Sequence, residues 1–89
     1  MVMLRGELDL ATAAELDAAI EDILAAGHTR IEVDLRGLVF CDSVGLSGLV
    51  RARNRCAQRG GELSVVNVHG EVAEVITIAG LLDSLTPDG

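Results

Sequence analysis

The sequence predicts a single α/β domain built on a mixed, mostly parallel sheet, with helices packed mainly on one face. Three observations predict it. Strand-like and helix-like apolar periodicities follow one another as β-α-β-α-β-α, which implies parallel strands joined by right-handed crossovers. Between Arg30 and Arg36, Ile31, Val33 and Leu35 alternate strictly with Glu32, Asp34 and Arg36. A parallel strand covered on both faces would be apolar throughout, so one face of this sheet stays partly wet. Finally, the run from Val39 to Leu49, VFCDSVGLSGL, breaks at Asp42-Ser43 before a glycine-spaced helical pattern, and short polar residues at such a junction are N-cap chemistry.

The elements follow in order. Val2 to Leu8 reads as a strand, closed by a turn from Asp9 to Thr12. Thr12 has Glu15 three residues on, the spacing of a capping box, so it is expected to cap the next helix. That helix carries Leu16, Ile20, Ile23 and Leu24 on one stripe and ends at Gly27. Its carboxylates, Glu15, Asp17, Glu21 and Asp22, read as a solvated face rather than as acid–base catalysts. After the alternating strand, Gly37 is expected to turn the chain into Leu38-Val39-Phe40. The second helix shows Leu46, Leu49, Val50 and Arg53 on one face, extended by Cys56 and Ala57. Arg51, Arg53, Arg55 and Arg59 crowd its C-terminal half, where positive charge complements the helix dipole. Gly60-Gly61 ends it. Glu62 to Val68 reads as a third strand, His69-Gly70 as a turn, and Val72, Val75, Ile76 and Ala79 as a short amphipathic helix stopped by Gly80. Leu81 to Leu85 is apolar and too short to classify.

Composition excludes several classes. The formal net charge is −7, every cation is an arginine, and one phenylalanine is the whole aromatic content. Such a chain has neither the basic footprint nor the stacking platforms of a nucleic-acid binder. Its apolar runs are short of a membrane span and its N-terminus lacks a signal-peptide layout, so a cytoplasmic location is expected. Cys41 and Cys56 have no CxxC or histidine at ligand spacing and read as two buried thiols, with no metal. No phosphate-cradling glycine loop is visible, and no cofactor is expected. His28 and His69 lie in separate turns and share no spacing with Ser43.

Ser43 supports two readings at this point. It is part of a helix cap and nothing more, or it is a hydroxyl placed where backbone N–H groups and the helix dipole favour an added negative charge. A third reading, Ser43 or Cys41 as a catalytic nucleophile, lacks a positioned base.

Three segments, GELDLATA from Gly6, FCDSVGL from Phe40, and RGGEL from Arg59 with the later Val66-Asn67, resemble the STAS domain. Within that family they look like the bacterial anti-sigma factor antagonists, or anti-anti-sigma factors. The resemblance covers roughly Gly6 to Leu85, and residues 1–89 are expected to form one STAS domain. It implies partner switching. The unphosphorylated antagonist binds an anti-sigma factor that is also a serine kinase and so frees the sigma factor. The kinase, using ATP and magnesium, then phosphorylates the antagonist and breaks the complex, and a serine phosphatase resets it. Carried onto this chain, the acceptor is Ser43, and the partner-binding residues are Asp42, Ser43, Val44, Gly45 and Leu46. The protein would be a regulator and not an enzyme, a monomer or weak dimer. A strand that relatives carry ahead of the Gly6-Glu7-Leu8-Asp9 segment is expected to be absent or truncated, which would leave a sheet edge open to self-association. The other reading of the same fold is a STAS binding subunit or sensor module of a transporter or other complex, without a sigma pathway.

Overall fold

The structure is a computed structural model and describes residues 1–78 and Gly80. Its elements are β1 (Val2–Leu8), α1 (Leu10–Ala25), β2 (Arg30–Cys41), α2 (Ser43–Gln58), β3 (Glu62–Val66) and α3 (Gly70–Ile78). The expected contributions of Ala79 and of Leu81 to Leu85 lie outside the described residues.

The three strands form one parallel sheet in the order β1-β2-β3. Both crossovers step in the same direction, so the right-handed rule sends α1 and α2 to the same face. They pack on each other there, with Gly48 of α2 set against Ala13 of α1, where a Cβ would stand 3.0 Å from the alanine methyl. A single core joins Leu8, Leu16, Ile20 and Leu24 to Val33, Leu35, Leu49, Ala52 and Cys56, with Val72 and Ile76 of α3. The far face of the sheet shows Met3, Arg5, Glu32 and Arg36 to solvent, as the alternation in β2 predicts.

Several expectations need correction. Asp9, not Thr12, is the N-cap of α1: its Oδ1 accepts from the Ala11 and Thr12 N–H groups at 3.1 and 3.2 Å. Thr12 is the third residue of the helix, and its Oγ1 accepts from the Asp9 N–H at 2.8 Å, closing the box reciprocally. Its hydroxyl proton goes back to the Glu7 carbonyl, also at 2.8 Å, which ties the helix start to the end of β1.

Gly37 does not turn the chain. β2 runs through it to Cys41, and the register explains how. From Met3 to Arg5 β1 advances two residues while β2 advances three, from Asp34 to Gly37, and the same slip recurs between Leu38 and Phe40. Each slip is a bulge that adds one residue to β2. The core-facing set is therefore Ile31, Val33, Leu35, Leu38 and Cys41, with the spacing of two widening to three at each bulge. Gly37 is required for contact: a Cβ there would lie 3.1 Å from Arg5 Cγ and 3.3 Å from the Leu4 carbonyl.

β3 ends at Val66 rather than Val68 because Asn67 leaves the extended region, with φ +57°. Its amide donates to Asp34 Oδ1 at 3.0 Å, and the same oxygen accepts the Arg36 N–H at 2.8 Å. Asp34 is only 8% exposed, on the otherwise wet face, and these two donors hold its carboxyl below the usual range, the Asn67 bond contributing most. His69 Nε2 donates to the Arg36 carbonyl at 2.7 Å, a second tie from the β3–α3 turn to β2.

The buried stripe of α2 is Gly45, Leu46, Gly48, Leu49, Ala52 and Cys56, while Ala57 is exposed and Val50 and Arg53 are half-buried. The expected face is thus displaced toward the small residues, which allow α2 to approach α1. The arginines have partners beyond the dipole. Arg51 pairs with Asp17 at 3.6 Å, and Arg55 and Arg59 pair with Glu21 at 3.3 and 2.8 Å, lacing α2 to α1. Exposed pairs of this kind contribute about 0–1 kcal/mol each, so they orient the helices more than they stabilise them.

Candidate functional site

All three strands are parallel, so their C-terminal ends and the N-termini of α1, α2 and α3 lie at one end of the molecule. Ligands and partners of open α/β sheets gather at this end. The Asp42-Ser43 junction sits there, between the last residue of β2 and the first of α2.

Asp42 is the N-cap, with extended backbone (φ −96°, ψ −178°), and its Oδ1 accepts the Gly45 N–H at 2.8 Å. Its carbonyl accepts the Leu46 N–H at 2.9 Å, and its own N–H donates to the Leu8 carbonyl at 3.3 Å. The cap is therefore pinned to the end of β1 as well as to its own helix. Gly45 makes this possible. A Cβ at that position would fall within the Leu8 carbonyl and stand 2.8 Å from Leu8 Cγ, so only glycine lets the first turn of α2 lie on β1.

The five residues singled out at this junction divide by exposure. Ser43 and Val44 are exposed, Asp42 is half-buried, and Gly45 and Leu46 are buried. The first three form surface; the last two hold that surface in place. Ser43 occupies the first position of α2, with its carbonyl accepting from Ser47 Oγ at 2.9 Å. Among the described residues the N–H groups of Ser43 and Val44 have no acceptor, so the helix end presents two donors beside the serine hydroxyl.

The structure adds residues that the sequence reading missed. Val39 (65% exposed), Phe40 (42%) and Leu10 (74%) lie at the same end, with Val44 (42%), as an apolar rim around the junction. Val39 and Phe40 read as part of a buried run. The signal that exposes them is the three-residue step from Leu35 to Leu38 to Cys41, which leaves the intervening pair outside the core.

Cys41, next to Asp42, is buried, and burial together with the Asp42 charge pushes its thiol up to about 11. Cys56 is buried and its thiol is raised by desolvation too. Both stay protonated and shielded at neutral pH, as the reading of two core thiols expected. Among the described residues no helix is long and apolar enough to cross a membrane.

The chain belongs to the STAS domain family: the family model described as "Mlab, STAS domain" matches residues 1–87. Among curated relatives it is 30% identical over 82 residues to the anti-sigma-B factor antagonist of Staphylococcus aureus (strain NCTC 8325 / PS 47), covering 92% of this chain and 76% of that protein. It is 40% identical over 53 residues to the anti-sigma-F factor antagonist RsfB of Mycobacterium tuberculosis, covering 60% of this chain and 43% of the relative. The chain thus matches less than half the length of RsfB. Solved structures share the fold, two of them as follows. The protein TM1081, solved by NMR, superposes with a TM-score of 0.80 at 22% identity, over 96% of this chain and 68% of that one. The anti-sigma factor antagonist SpoIIAA in its unphosphorylated form gives 0.68 at 23% identity, over 85% of this chain and 70% of its own. These relatives carry the names of regulators and not of enzymes.

Proposed function

We propose that this protein is an anti-sigma factor antagonist that works by partner switching, with Ser43 as its phosphorylation site. In the unphosphorylated form it binds an anti-sigma factor that is also a serine kinase and so releases the sigma factor. Phosphorylation of Ser43 abolishes that binding, and a serine phosphatase restores it. The observation that carries this reading is the exposed Ser43 hydroxyl at the first position of α2, held up by Asp42 and Gly45 in a chain whose relatives are named as antagonists.

The physical argument supports the direction of the switch. A phosphate on Ser43 adds roughly −1.5 to −2 charge at neutral pH. The helix end accommodates it, because the Ser43 and Val44 N–H groups are free to donate and the dipole is favourable. A docked partner does not accommodate it. The added charge lies beside Asp42 and amid Val39, Phe40, Leu10 and Val44, where a partner must exclude water from apolar side chains. Charge placed in such an interface costs desolvation and repulsion.

The test is intact mass after incubation with ATP, magnesium and a kinase-active lysate of the source organism, for wild type and Ser43→Ala in parallel. One added phosphate on wild type and none on the variant is the expected outcome. No phosphate on either would favour a constitutive STAS binding subunit in which Ser43 serves the helix end alone.

A further inference from the structure

We infer that the Ser47 hydroxyl is a ligand for the phosphate on Ser43 and holds the modified form of the switch. The inference rests on the reading of Ser43 as the acceptor and adds a second residue to that site. Ser43 and Ser47 are both exposed and stand four residues apart on α2, so they share one face of the helix. Side chains on a helix lean toward its N-terminus, and that of Ser47 lies over the turn that begins at Ser43. Its Oγ already reaches that turn, donating to the Ser43 carbonyl at 2.9 Å.

That bond can be given up at little cost. Within α2 the Ser43 carbonyl is also the acceptor for the Ser47 backbone N–H, so it keeps a partner when the hydroxyl turns away. A neutral hydroxyl–carbonyl bond is then exchanged for one to an anionic oxygen, which is shorter and roughly twice as strong. The exchange needs only rotation about the Cα–Cβ and Cβ–Oγ bonds of an exposed side chain. The phosphate, for its part, has few other donors. Among the described residues it finds the unpaired N–H groups of Ser43 and Val44 at the end of α2. The charged side chains where the neighbouring elements meet this turn are carboxylates: Asp42 at the cap, and Glu7 and Asp9 at the junction of β1 and α1. The first cation along α2 is Arg51, one turn beyond Ser47, and it pairs with Asp17 at 3.6 Å. Ser47 is thus the nearest side-chain donor that α2 offers. It is a positioning residue: it binds and orients the phosphate and takes no part in transferring it.

The test uses the full 89-residue chain with phosphoserine installed at position 43 by semisynthesis, as wild type, Ser47→Ala and Ser47→Thr. Phosphorus NMR follows the second ionisation of the phosphate, which for a free phosphoserine lies at about pH 6. A donor that favours the dianion lowers that midpoint. Ser47→Ala should therefore raise it by about 0.5 of a pH unit, roughly a threefold gain in proton affinity. Ser47→Thr keeps the hydroxyl and should titrate close to wild type. A hydroxyl that served only the Ser43 carbonyl would alter the stability of α2 and leave the phosphate titration in place. Equal titrations in all three chains would overturn the inference, as would a threonine variant that behaves like the alanine one. Because the phosphate is installed chemically, this outcome is separate from whether a kinase accepts Ser43. A shifted titration in a chain that no lysate phosphorylates would remove the switch and leave the phosphate ligand. An unshifted one in a chain that the lysate does phosphorylate would remove the ligand and leave the switch.

Discussion

Gly45 shows most plainly how one residue sets the site. The first turn of α2 lies so close to β1 that the Leu8 carbonyl occupies the space a Cβ would need. Backbone on both sides cannot yield as a flexible side chain does. Gly45→Ala should therefore cost about 3 kcal/mol, at the upper end of the usual overpacking range, and it should tilt the helix end that carries Ser43. Urea unfolding of the variant measures the cost; a change within a few tenths of a kcal/mol would show that the contact is not rigid. The glycine spacing at the start of α2 marks this position in the sequence as one where another backbone can come close, but only the register of β1 against β2 brings Leu8 over it. Asp42, by contrast, was legible, because a short acceptor between a strand pattern and a helix pattern has few other uses. Ser43 was legible as a position, and its reading as an acceptor comes from the family resemblance, since a capping context and a modification site look alike in the residues themselves.

At the scale of elements, two carboxylates tie helices and turns to the strands. Asp9 closes the start of α1, and its bonds from backbone N–H groups, that of Thr12 first and that of Ala11 with it, keep its carboxyl below the ordinary value of 3.8. Asp34 holds the β3–α3 turn through Asn67 and is lowered likewise. Both folded values lie below the unfolded ones. Their contribution to stability is thus complete above about pH 4 and is lost as the pH falls from there through the folded values. The double variant Asp9→Asn, Asp34→Asn keeps a cap acceptor at position 9, since asparagine caps as well as aspartate, but has no proton to take up at either site. Thermal melts from neutral pH down to about pH 3 should show a shallower decline for the double variant than for wild type. Equal slopes would mean that other carboxylates control the acid limb. The start of α1 shows where sequence reading fails at this scale. Asp9 and Thr12 both carry cap chemistry, and the Thr12–Glu15 spacing competes with Asp9–Thr12. What decides is tertiary: the Thr12 hydroxyl reaches the Glu7 carbonyl, a contact with no local signature. The β2 bulges were hidden for a similar reason, because an extra residue in a strand leaves no mark except a stretched apolar spacing.

For the whole molecule, the same-direction crossovers place both large helices on one face and every helix N-terminus at one end, and this much the β-α alternation predicted. Ser43 lies on that end, outside the core that joins the elements. Phosphorylation should then leave the fold unchanged. Amide shifts of the phosphorylated chain should move only near the first turn of α2, the end of β2 and the Leu8–Leu10 segment, while β3 and the C-terminal half of α2 stay in place. Changes spread through the core would instead make the switch a rearrangement of the domain. The two extra residues in β2 bear on how such a surface can change over time. They act as a phase adjuster: each turns the strand by one position, so that Cys41 arrives facing inward and Asp42 leaves at the angle the cap requires. Substitutions at Val39 and Phe40 can recolour the outward pair without reaching the core. Loss or gain of a single residue there cannot be absorbed so simply, because it would send the cysteine outward and swing the serine off its bearing. The outward pair is therefore open in letter, while the segment that carries it is closed in length and fixed at Gly37 and Leu38.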